Sequence, residues 1–341
     1  MKVWISLVFG LVLSFFISFL LGFVIIPELR KLKFGQTILD IGPAWHKSKQ
    51  GTPTMGGIMF IISTVVSFAI VIITDKLLGG NLIASGSVVE DSVKVKTFAG
   101  ILMALGFGII GFADDYIKVA KKRNLGLTIK QKSIAQILLM LAYLGALYMS
   151  GNTFINIPFV GNVDLKWFFW FFGMGVIYLT VNAVNFTDGV DGLCGSVTAS
   201  AALAFVVIAT LKGFFGVGIL ASCLAGGCIG YLIWNWHPSK VMMGDTGSMF
   251  LGGMVVALAY AIDCPLIILF LGIIYVIEML SDLIQIGYFK ATHGKRIFKM
   301  APIHHHFEMC GWKEVKIVIV FTLINIIGSI IGVALFYYGA K

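Results

Sequence analysis

The sequence has little charge. Asp, Glu, Lys and Arg make up 12% of its 341 residues, while hydrophobic residues make up 59% and the mean hydropathy is +0.97. Soluble domains carry about 25% charged residues, so an ordinary soluble fold is excluded. The net charge of +9 does not indicate a nucleic-acid partner, because the cations lie in short connectors and form no basic face or arm. An integral membrane protein surrounded by lipid is predicted.

Paired cysteines, internal repeats, low-complexity tracts and soluble appendages are all lacking. The five cysteines form no CxxC pair and several fall within apolar runs, which is typical of free, buried thiols. Residues 1–341 are therefore predicted to form a single polytopic membrane domain.

Apolar stretches long enough to cross a bilayer recur along the chain, since a spanning helix needs about 20 residues. The first is longer than a signal-peptide core and has no small-residue cleavage site, so it is predicted to be retained. A small outer β-hairpin is predicted near residues 152–164. The rest is predicted to be all-α, with about ten transmembrane helices at residues 3–26, 57–73, 97–113, 133–150, 167–186, 193–211, 215–234, 247–262, 265–287 and 317–338.

The distribution of Lys and Arg orients these helices. Connectors after odd-numbered helices carry eighteen of the cations, and connectors after even-numbered helices carry five. Positively charged connectors are the cytoplasmic ones in membrane proteins. Both termini are therefore predicted to be extracytoplasmic, and every acidic motif described next falls at the cytoplasmic face.

The first acidic motif ends the third predicted helix. Asp114 and Asp115 point about 100° apart on a helix, so they can face different partners, and Lys118 follows one turn later. The charges could simply anchor the helix at the lipid headgroups. A functional role is favoured, because carboxylates at the membrane usually pair with cations or substrate.

The second acidic motif, residues 182–192, joins two helices without any Lys or Arg. An ordinary turn needs only one or two polar turn residues, and this segment has six Asn, Asp or Gly residues suited to binding. Asn and Asp supply oxygens and amide donors, and Gly allows close backbone approach to a ligand. Ligand binding is therefore predicted here.

The third acidic motif is MGDTGS at residues 243–248. Asp245 alone could be a helix cap. Together the three motifs bring five carboxylates to one surface, an environment of hard oxygens that Mg²⁺ or Mn²⁺ prefers. A divalent-cation site is predicted.

Two other motifs offer donors for anions. Lys49 and Thr54 lie in a Gly-rich segment whose backbone N–H groups suit a phosphate. A positively charged cytoplasmic loop would explain the lysine but needs no glycines or threonines in this order, so anion binding is favoured. Three adjacent histidines cannot readily chelate one metal from a helix, where ligands at i and i+4 are preferred. Residues 304–306 are therefore predicted to contact phosphate or sugar.

Five motifs together carry a family resemblance: GTPTMGG at 51–57, DDYIK at 114–118, NAVNFTDGVDGL at 182–193, MGDTGS at 243–248 and PIHHHFE at 302–308. Over essentially its whole length the chain resembles the polyprenyl-phosphate N-acetylhexosamine-1-phosphate transferases, and most specifically the phospho-N-acetylmuramoyl-pentapeptide transferase branch. The resemblance implies an Mg²⁺-dependent enzyme of the bacterial cytoplasmic membrane. It would transfer phospho-MurNAc-pentapeptide from UDP-MurNAc-pentapeptide to undecaprenyl phosphate, giving lipid I and UMP for peptidoglycan synthesis.

The resemblance also implies residue roles. Asp114, Asp115 and Asp245 are the implied catalytic carboxylates, with Asp115 and Asp245 as metal ligands and Asp114 and Asp115 facing the lipid phosphate. Met242 departs from the pattern, because relatives often have an aromatic residue there that would stack on uracil. The other implied contacts to nucleotide, diphosphate and sugar are Lys49, Thr54, Lys118, Lys130, Asn182, Asn185, Asp188, Gly189, Asp191, Gly192, His304, His305 and His306.

Several alternatives stay open. The second candidate activity is transfer of GlcNAc-1-phosphate from UDP-GlcNAc. The three adjacent histidines disfavour it. A transporter of anionic metabolites should carry ionisable groups near mid-helix, whereas Glu278 and Asp282 lie toward the cytoplasmic half of their helix.

Direct attack by the lipid phosphate is preferred to a covalent intermediate, because that phosphate is largely dianionic at neutral pH. The glycines at 226, 227 and 230 predict close helix contact, either within the monomer or across a homodimer.

Overall fold

The computed structural model describes residues 2–31, 51–83, 89–121 and 125–339. Within these residues the chain forms a bundle of helices and one two-stranded sheet, which confirms the predicted all-α membrane fold. The elements are α1 (Val3–Lys31), α2 (Ile58–Leu77), α3 (Val89–Ala120), α4 (Ile129–Met149), β1 (Phe154–Ile157), β2 (Gly161–Asp164), α5 (Phe168–Thr187), α6 (Leu193–Leu211), α7 (Phe215–Asn235), α8 (Gly244–Ala261), a 3-10 turn (Pro265–Ile267), α9 (Ile268–Leu271), α10 (Ile273–Ala291), α11 (Ile303–Met309) and α12 (Glu314–Gly339).

The number of spans is close to the predicted ten. In the described part of the chain, eight helices are long and apolar enough to cross a membrane, or nine if the bent pair of 265–271 and 273–291 is one span. The predicted span 247–262 corresponds to α8, which is not among them because its first turn is polar. All residues from Thr246 to Ala261 are buried, and α8 packs mainly against α3 and α5. It is therefore the central helix of the bundle.

The predicted span 265–287 is not a single helix. The segments on either side of Gly272 meet at 89°. Asn325 of α12, which is fully buried, donates from its amide to the Leu271 carbonyl (2.9 Å) and accepts from the Ile274 N–H (3.4 Å). Backbone groups freed by a break are tolerated at membrane depth where neighbouring helices supply such partners.

The predicted hairpin is confirmed. Strands β1 and β2 pair antiparallel, with Phe154 opposite Asp164. The Asn156 N–H donates to the carbonyl of Asp263 (2.6 Å), just after α8, and the Asp263 carboxylate pairs with the buried Lys96 of α3. The hairpin therefore covers the end of the bundle where α8 finishes, which we call the hairpin end.

The glycines of α7 allow close packing between two helices of the same chain. A Cβ on Gly226 would overlap the Leu11 carbonyl oxygen of α1, and one on Gly230 would overlap that of Phe15. These positions let α1 and α7 pack closely, as small residues do in membrane bundles. The close contact left open by the sequence therefore lies within the monomer, and the homodimer stays a prediction.

All five cysteines are free, as predicted. Cys194, Cys223, Cys228 and Cys264 are buried, as expected for small apolar side chains. Cys310 is exposed, because it follows the short α11 and is not inside an apolar run.

Candidate active site

Three helix ends meet at the end of the bundle away from the hairpin. Asp115 lies nineteen residues beyond Lys96 on α3, which is about 28 Å at 1.5 Å per residue. A Cβ on Gly111 would overlap the carbonyl oxygen of Asp245, so the end of α3 lies directly against the start of α8. Asn185 near the end of α5 completes the group by donating to Asp245 (3.0 Å). Residues of all three predicted acidic motifs therefore meet here, although the second motif contributes Asn185 and not a carboxylate.

Asp115 is buried and caps α8. It accepts hydrogen bonds from the Thr246 N–H (2.9 Å), the Thr246 hydroxyl (2.7 Å) and the Asp245 N–H (3.3 Å). The first N–H groups of a helix lack partners within that helix, and its dipole favours a negative charge there. The α8 N-terminus therefore holds the Asp115 carboxylate in a fixed orientation.

Asp114 faces the connector that precedes α4. Its carboxylate accepts from the Leu127 N–H (2.7 Å) and pairs with Lys118 one turn later (2.6 Å). Adjacent positions on a helix point in different directions, which explains why Asp114 and Asp115 have different partners. Lys118 also lies 3.4 Å from Asp245, so it links the two acidic motifs.

Asp245 is the most accessible of the three carboxylates. Its side chain is 19% exposed and pairs with Lys132 of α4 at 2.7 Å. The other carboxylate oxygen accepts from Asn185, whose amide also donates to Ser248 (2.8 Å). Four helices thus contribute to one polar cluster.

These groups fit a divalent cation. Oxygens of Asp114, Asp115 and Asp245 all lie within 4.8 Å of one another. When all are ionised, the three carboxylates exceed the two ammonium groups of Lys118 and Lys132 by one negative charge. Oxygen ligands with excess negative charge are what Mg²⁺ or Mn²⁺ requires. The predicted ligands Asp115 and Asp245 are brought together, and Asp114 joins them.

The second acidic motif, residues 182–192, continues from Asn185 into a second polar group. Asp191 is buried, and its carboxylate lies 3.0 Å from Nδ1 of His237 and accepts from the Ser239 N–H (3.2 Å). Gly192, at φ +83° before α6, donates its N–H to Asn235 (3.0 Å). Asp191, His237 and Glu314 form a second group that could hold a metal. Asp188 is half-buried at the end of α5.

The Gly-rich segment lies beside the start of α8. The Gly56 N–H donates to the Met242 carbonyl and the Met242 N–H donates to the Pro53 carbonyl, both at 2.8 Å. A Cβ on Gly244 would lie 2.6 Å from the Thr54 hydroxyl oxygen. Thr54 and Met242 are thus near the carboxylate cluster, while the predicted contact Lys49 lies outside the described residues.

The three histidines have separate partners. His304 is fully buried with Nδ1 3.0 Å from Glu278, and a Cβ on Gly189 would overlap its Nε2. Nδ1 of His305 lies 2.6 Å from Glu308, and Nδ1 of His306 accepts from the Lys299 N–H (3.1 Å). Their different environments agree with the prediction that they do not chelate one metal together. His304 alone is seen beside the second acidic motif.

Two predicted contacts lie apart from the cluster. Lys130 is exposed, and the amide of Asn182 donates to the carbonyl of Tyr178 in its own helix (2.8 Å). Their predicted substrate roles remain predictions. Sequence reasoning missed six residues that support the site, which are Lys132, Thr246, Ser248, His237, Glu278 and Glu314. The visible signals were a polar residue after Asp245 and a second lysine after Lys130.

Comparison with known proteins gives the class first. Residues 97–263 match the model of glycosyl transferase family 4. This region contains the carboxylate cluster together with Lys118 and Lys132. The helical membrane fold, the acidic site and this match define a polytopic membrane transferase.

The particular family follows from two further findings. Residues 49–61 match signature 1 of the phospho-N-acetylmuramoyl-pentapeptide-transferases. A protein of that name from Acetivibrio thermocellus is 45% identical over 331 residues, covering 95% of this chain and 94% of that protein. Others from Listeria monocytogenes serotype 4b and Halalkalibacterium halodurans are 42% and 41% identical over 95% and 96% of this chain, and each alignment covers 97% of the relative. The chain therefore belongs to the phospho-N-acetylmuramoyl-pentapeptide-transferase family and is a phosphoglycosyl transferase, as its motifs predicted.

Proposed function

We propose that the protein transfers phospho-MurNAc-pentapeptide from UDP-MurNAc-pentapeptide to undecaprenyl phosphate, forming lipid I and UMP in peptidoglycan synthesis. An oxygen of the lipid phosphate attacks the phosphorus that carries the sugar. The bond from that phosphorus to the bridging oxygen breaks, and UMP leaves with this oxygen. The observation that carries the proposal is the convergence of Asp114, Asp115 and Asp245 with Lys118 and Lys132 in one cluster.

The negative charges of the two reactants explain why such a cluster suits this reaction. The reactants bring a diphosphate and a phosphate monoester together, so repulsion must be offset before attack. Asp115, Asp245 and Asp114 would hold Mg²⁺, which when bound neutralises charge on the diphosphate and on the leaving UMP. Lys118 and Lys132 are placed to exchange part of their pairing with carboxylates for pairing with phosphate oxygens.

The hydrogen bonds of the carboxylates favour direct attack over a covalent intermediate. Asp115 is held by three donors at the start of α8. Asp114 is engaged by Lys118 and the Leu127 N–H. A carboxylate that served as nucleophile would have to release such partners, whereas the lipid phosphate is largely dianionic at neutral pH without a base.

The nucleotide is proposed to lie along residues 188–192, against the start of α12. Asp191 and the Gly192 region are buried and rigidly hydrogen-bonded, which suits recognition of a planar base and ribose. His304 borders the same segment through Gly189. Met242 offers a thioether instead of an aromatic ring, so contact with the base would be by apolar packing.

The active site is proposed to face the cytoplasm, where the nucleotide donor is. The excess of cations in connectors at this end of the helices supports the orientation. At the hairpin end, Lys96 and Lys212 are both paired with Asp263, so they do not act as free cytoplasmic charges.

UMP release by the purified protein tests the function. The assay uses undecaprenyl phosphate with either UDP-MurNAc-pentapeptide or UDP-GlcNAc, with Mg²⁺ or with EDTA. We expect release only from the muramoyl donor and only with the cation. Release from UDP-GlcNAc alone would assign the other transferase activity, and release in EDTA would refute the metal role. Release from neither donor would overturn the proposed function.

A further inference from the structure

A buried acid–base pair joins α10 to α11. Glu278 and His304 are both 0% exposed, and an Oε2 to Nδ1 distance of 3.0 Å connects them. Glu278 is in the helix that follows the bend at Gly272, and His304 begins the short helix after the connector. Ionisable groups fully removed from water at membrane level are costly, and those that are kept usually have a function.

Each partner keeps one polar atom without a hydrogen bond. These are Nε2 of His304 and Oε1 of Glu278, both fully buried. Buried polar atoms are nearly always satisfied, because an unsatisfied one costs about 1–3 kcal/mol. Nε2 lies against Gly189, where even one methyl group would overlap it. The ring nitrogen without a hydrogen bond is therefore covered by Gly189, which belongs to the segment proposed to receive the nucleotide donor.

Hydrogen-bond chemistry determines what this nitrogen offers. When Glu278 is ionised, its carboxylate can only accept, and Nδ1 of His304 then donates to it. In a neutral imidazole the other nitrogen is then an acceptor. The neighbouring ionisable groups are Asp282, one turn along α10, and His305, whose ring centroid lies 4.1 Å from that of His304 and whose Nδ1 is paired with Glu308.

We propose that Glu278 is a positioning residue that fixes the tautomer and direction of His304, and that Gly189 moves away from Nε2 when the donor substrate binds, so that Nε2 accepts a hydrogen bond from a hydroxyl or amide N–H of the sugar. The inference rests on the proposed function. Glu278 itself does not touch the substrate. Partners that orient an active-site imidazole typically contribute about 10- to 100-fold to activity.

A matched set of variants tests the role. Glu278→Gln keeps the shape but can donate to Nδ1, while Asp282→Asn removes a carboxylate of the same helix that does not bond to His304. We expect Glu278→Gln to lower kcat by about 10- to 100-fold and to leave the KM for undecaprenyl phosphate nearly unchanged. Asp282→Asn should retain kcat. Unchanged kcat in Glu278→Gln would overturn the proposal.

A double variant separates positioning from simple structural support. If Glu278 acts through His304, adding Glu278→Gln to His304→Asn should cause no further loss of kcat. An equal fold-loss in both backgrounds would mean that Glu278 only stabilises the fold. Thermal unfolding of every variant in detergent identifies any loss of folded protein.

Nitrogen NMR of histidine-labelled protein gives a readout that needs no activity and no substituted Glu278. The His304 signal is assigned by its loss in His304→Asn. We expect the wild-type ring to be protonated at Nδ1 and unprotonated at Nε2, and the opposite tautomer or an imidazolium would refute the inference. If neither UDP-sugar donor releases UMP, the proposed function fails, and this measurement still decides the state of the pair.

Discussion

The Thr246 hydroxyl donates a 2.7 Å hydrogen bond to Asp115, and the Thr246 N–H donates a second one of 2.9 Å to the same oxygen. One residue of α8 therefore holds a carboxylate of α3 from two directions. Because Asp245 immediately precedes Thr246, the same turn of helix sets the spacing of two proposed metal ligands. The turn is rigid, since Gly111 lets α3 lie directly against it.

Thr246→Val should weaken catalysis without unfolding the protein. Valine keeps the shape and the backbone N–H but removes the hydroxyl bond to Asp115. A hydrogen bond to a charged group contributes about 1.5–3 kcal/mol, which corresponds to a roughly 10- to 100-fold loss of kcat/KM and a higher Mg²⁺ requirement. Thr210→Val is the control, because that hydroxyl only donates to Val206 of its own helix. Equal activity of both variants would contradict the role of Thr246.

Lys132→Met should be more damaging than Lys130→Met. Lys132 lies 2.7 Å from Asp245, whereas Lys130 is exposed. Removing one partner of a partly buried pair typically costs about 2–5 kcal/mol, so we expect about a 30-fold or greater loss of kcat for Lys132→Met. Steady-state UMP release measures both variants. A larger effect at Lys130, seen in the KM for the donor, would instead support the substrate contact that the sequence predicts for it.

This pair of lysines illustrates what a sequence can and cannot establish. Motifs and charge bias were sufficient to predict that Asp115 of α3, Asn185 of α5 and Asp245 of α8 share one end of the bundle. Lys130 and Lys132 are two positions apart, so they point to nearly opposite sides of α4, and the sequence does not say which side faces α8. Asn182 and Asn185 lie on the same face of α5, one turn apart. The sequence does not say which of the two is level with the start of α8, and in the structure it is Asn185 that donates to Asp245.

The bend at Gly272 was beyond prediction for a different reason. Residues 265–287 were predicted as one span, and a lone Gly is common in membrane helices. The partner that stabilises the break is Asn325, more than fifty residues later. Glu278 was likewise interpreted only as a transport candidate, because its partner His304 comes from a separate connector. Long-range polar pairs of this kind leave no local signal.

Asn325→Leu should destabilise the bend. The substitution removes the amide that donates to Leu271 and leaves the Ile274 N–H without its acceptor, while Ser329 still donates to Leu271 at 3.4 Å. We expect a loss of about 1–3 kcal/mol and a Tm lower by several degrees in detergent, together with reduced kcat because Glu278 moves with α10. Asn162→Ala, at the exposed hairpin pair with Asn156, should change Tm little. A Tm equal to that of wild type would mean that the break is stable without Asn325.

Gly189→Ala should lower kcat through His304. The added Cβ would overlap Nε2, and the ring cannot turn aside because it is fully buried and bonded to Glu278. Displacements of about 1 Å in an active site can cost about 100-fold in rate, so a loss of 10- to 100-fold is expected in UMP release. The control is Gly175→Ala on α5, where a Cβ meets nothing within 4 Å.

The alternative is that alanine at position 189 blocks the substrate directly, as the resemblance to the family implies for this glycine. The two causes separate in a His304→Asn background. Asn is shorter than His and removes Nε2, so the collision disappears and Gly189→Ala should then cause little further loss of kcat. A further loss as large as that seen with His304 present would assign Gly189 to substrate contact instead. The KM for the UDP-sugar donor should rise in that case, because the obstruction would act on binding of the ground state as well as on the transition state.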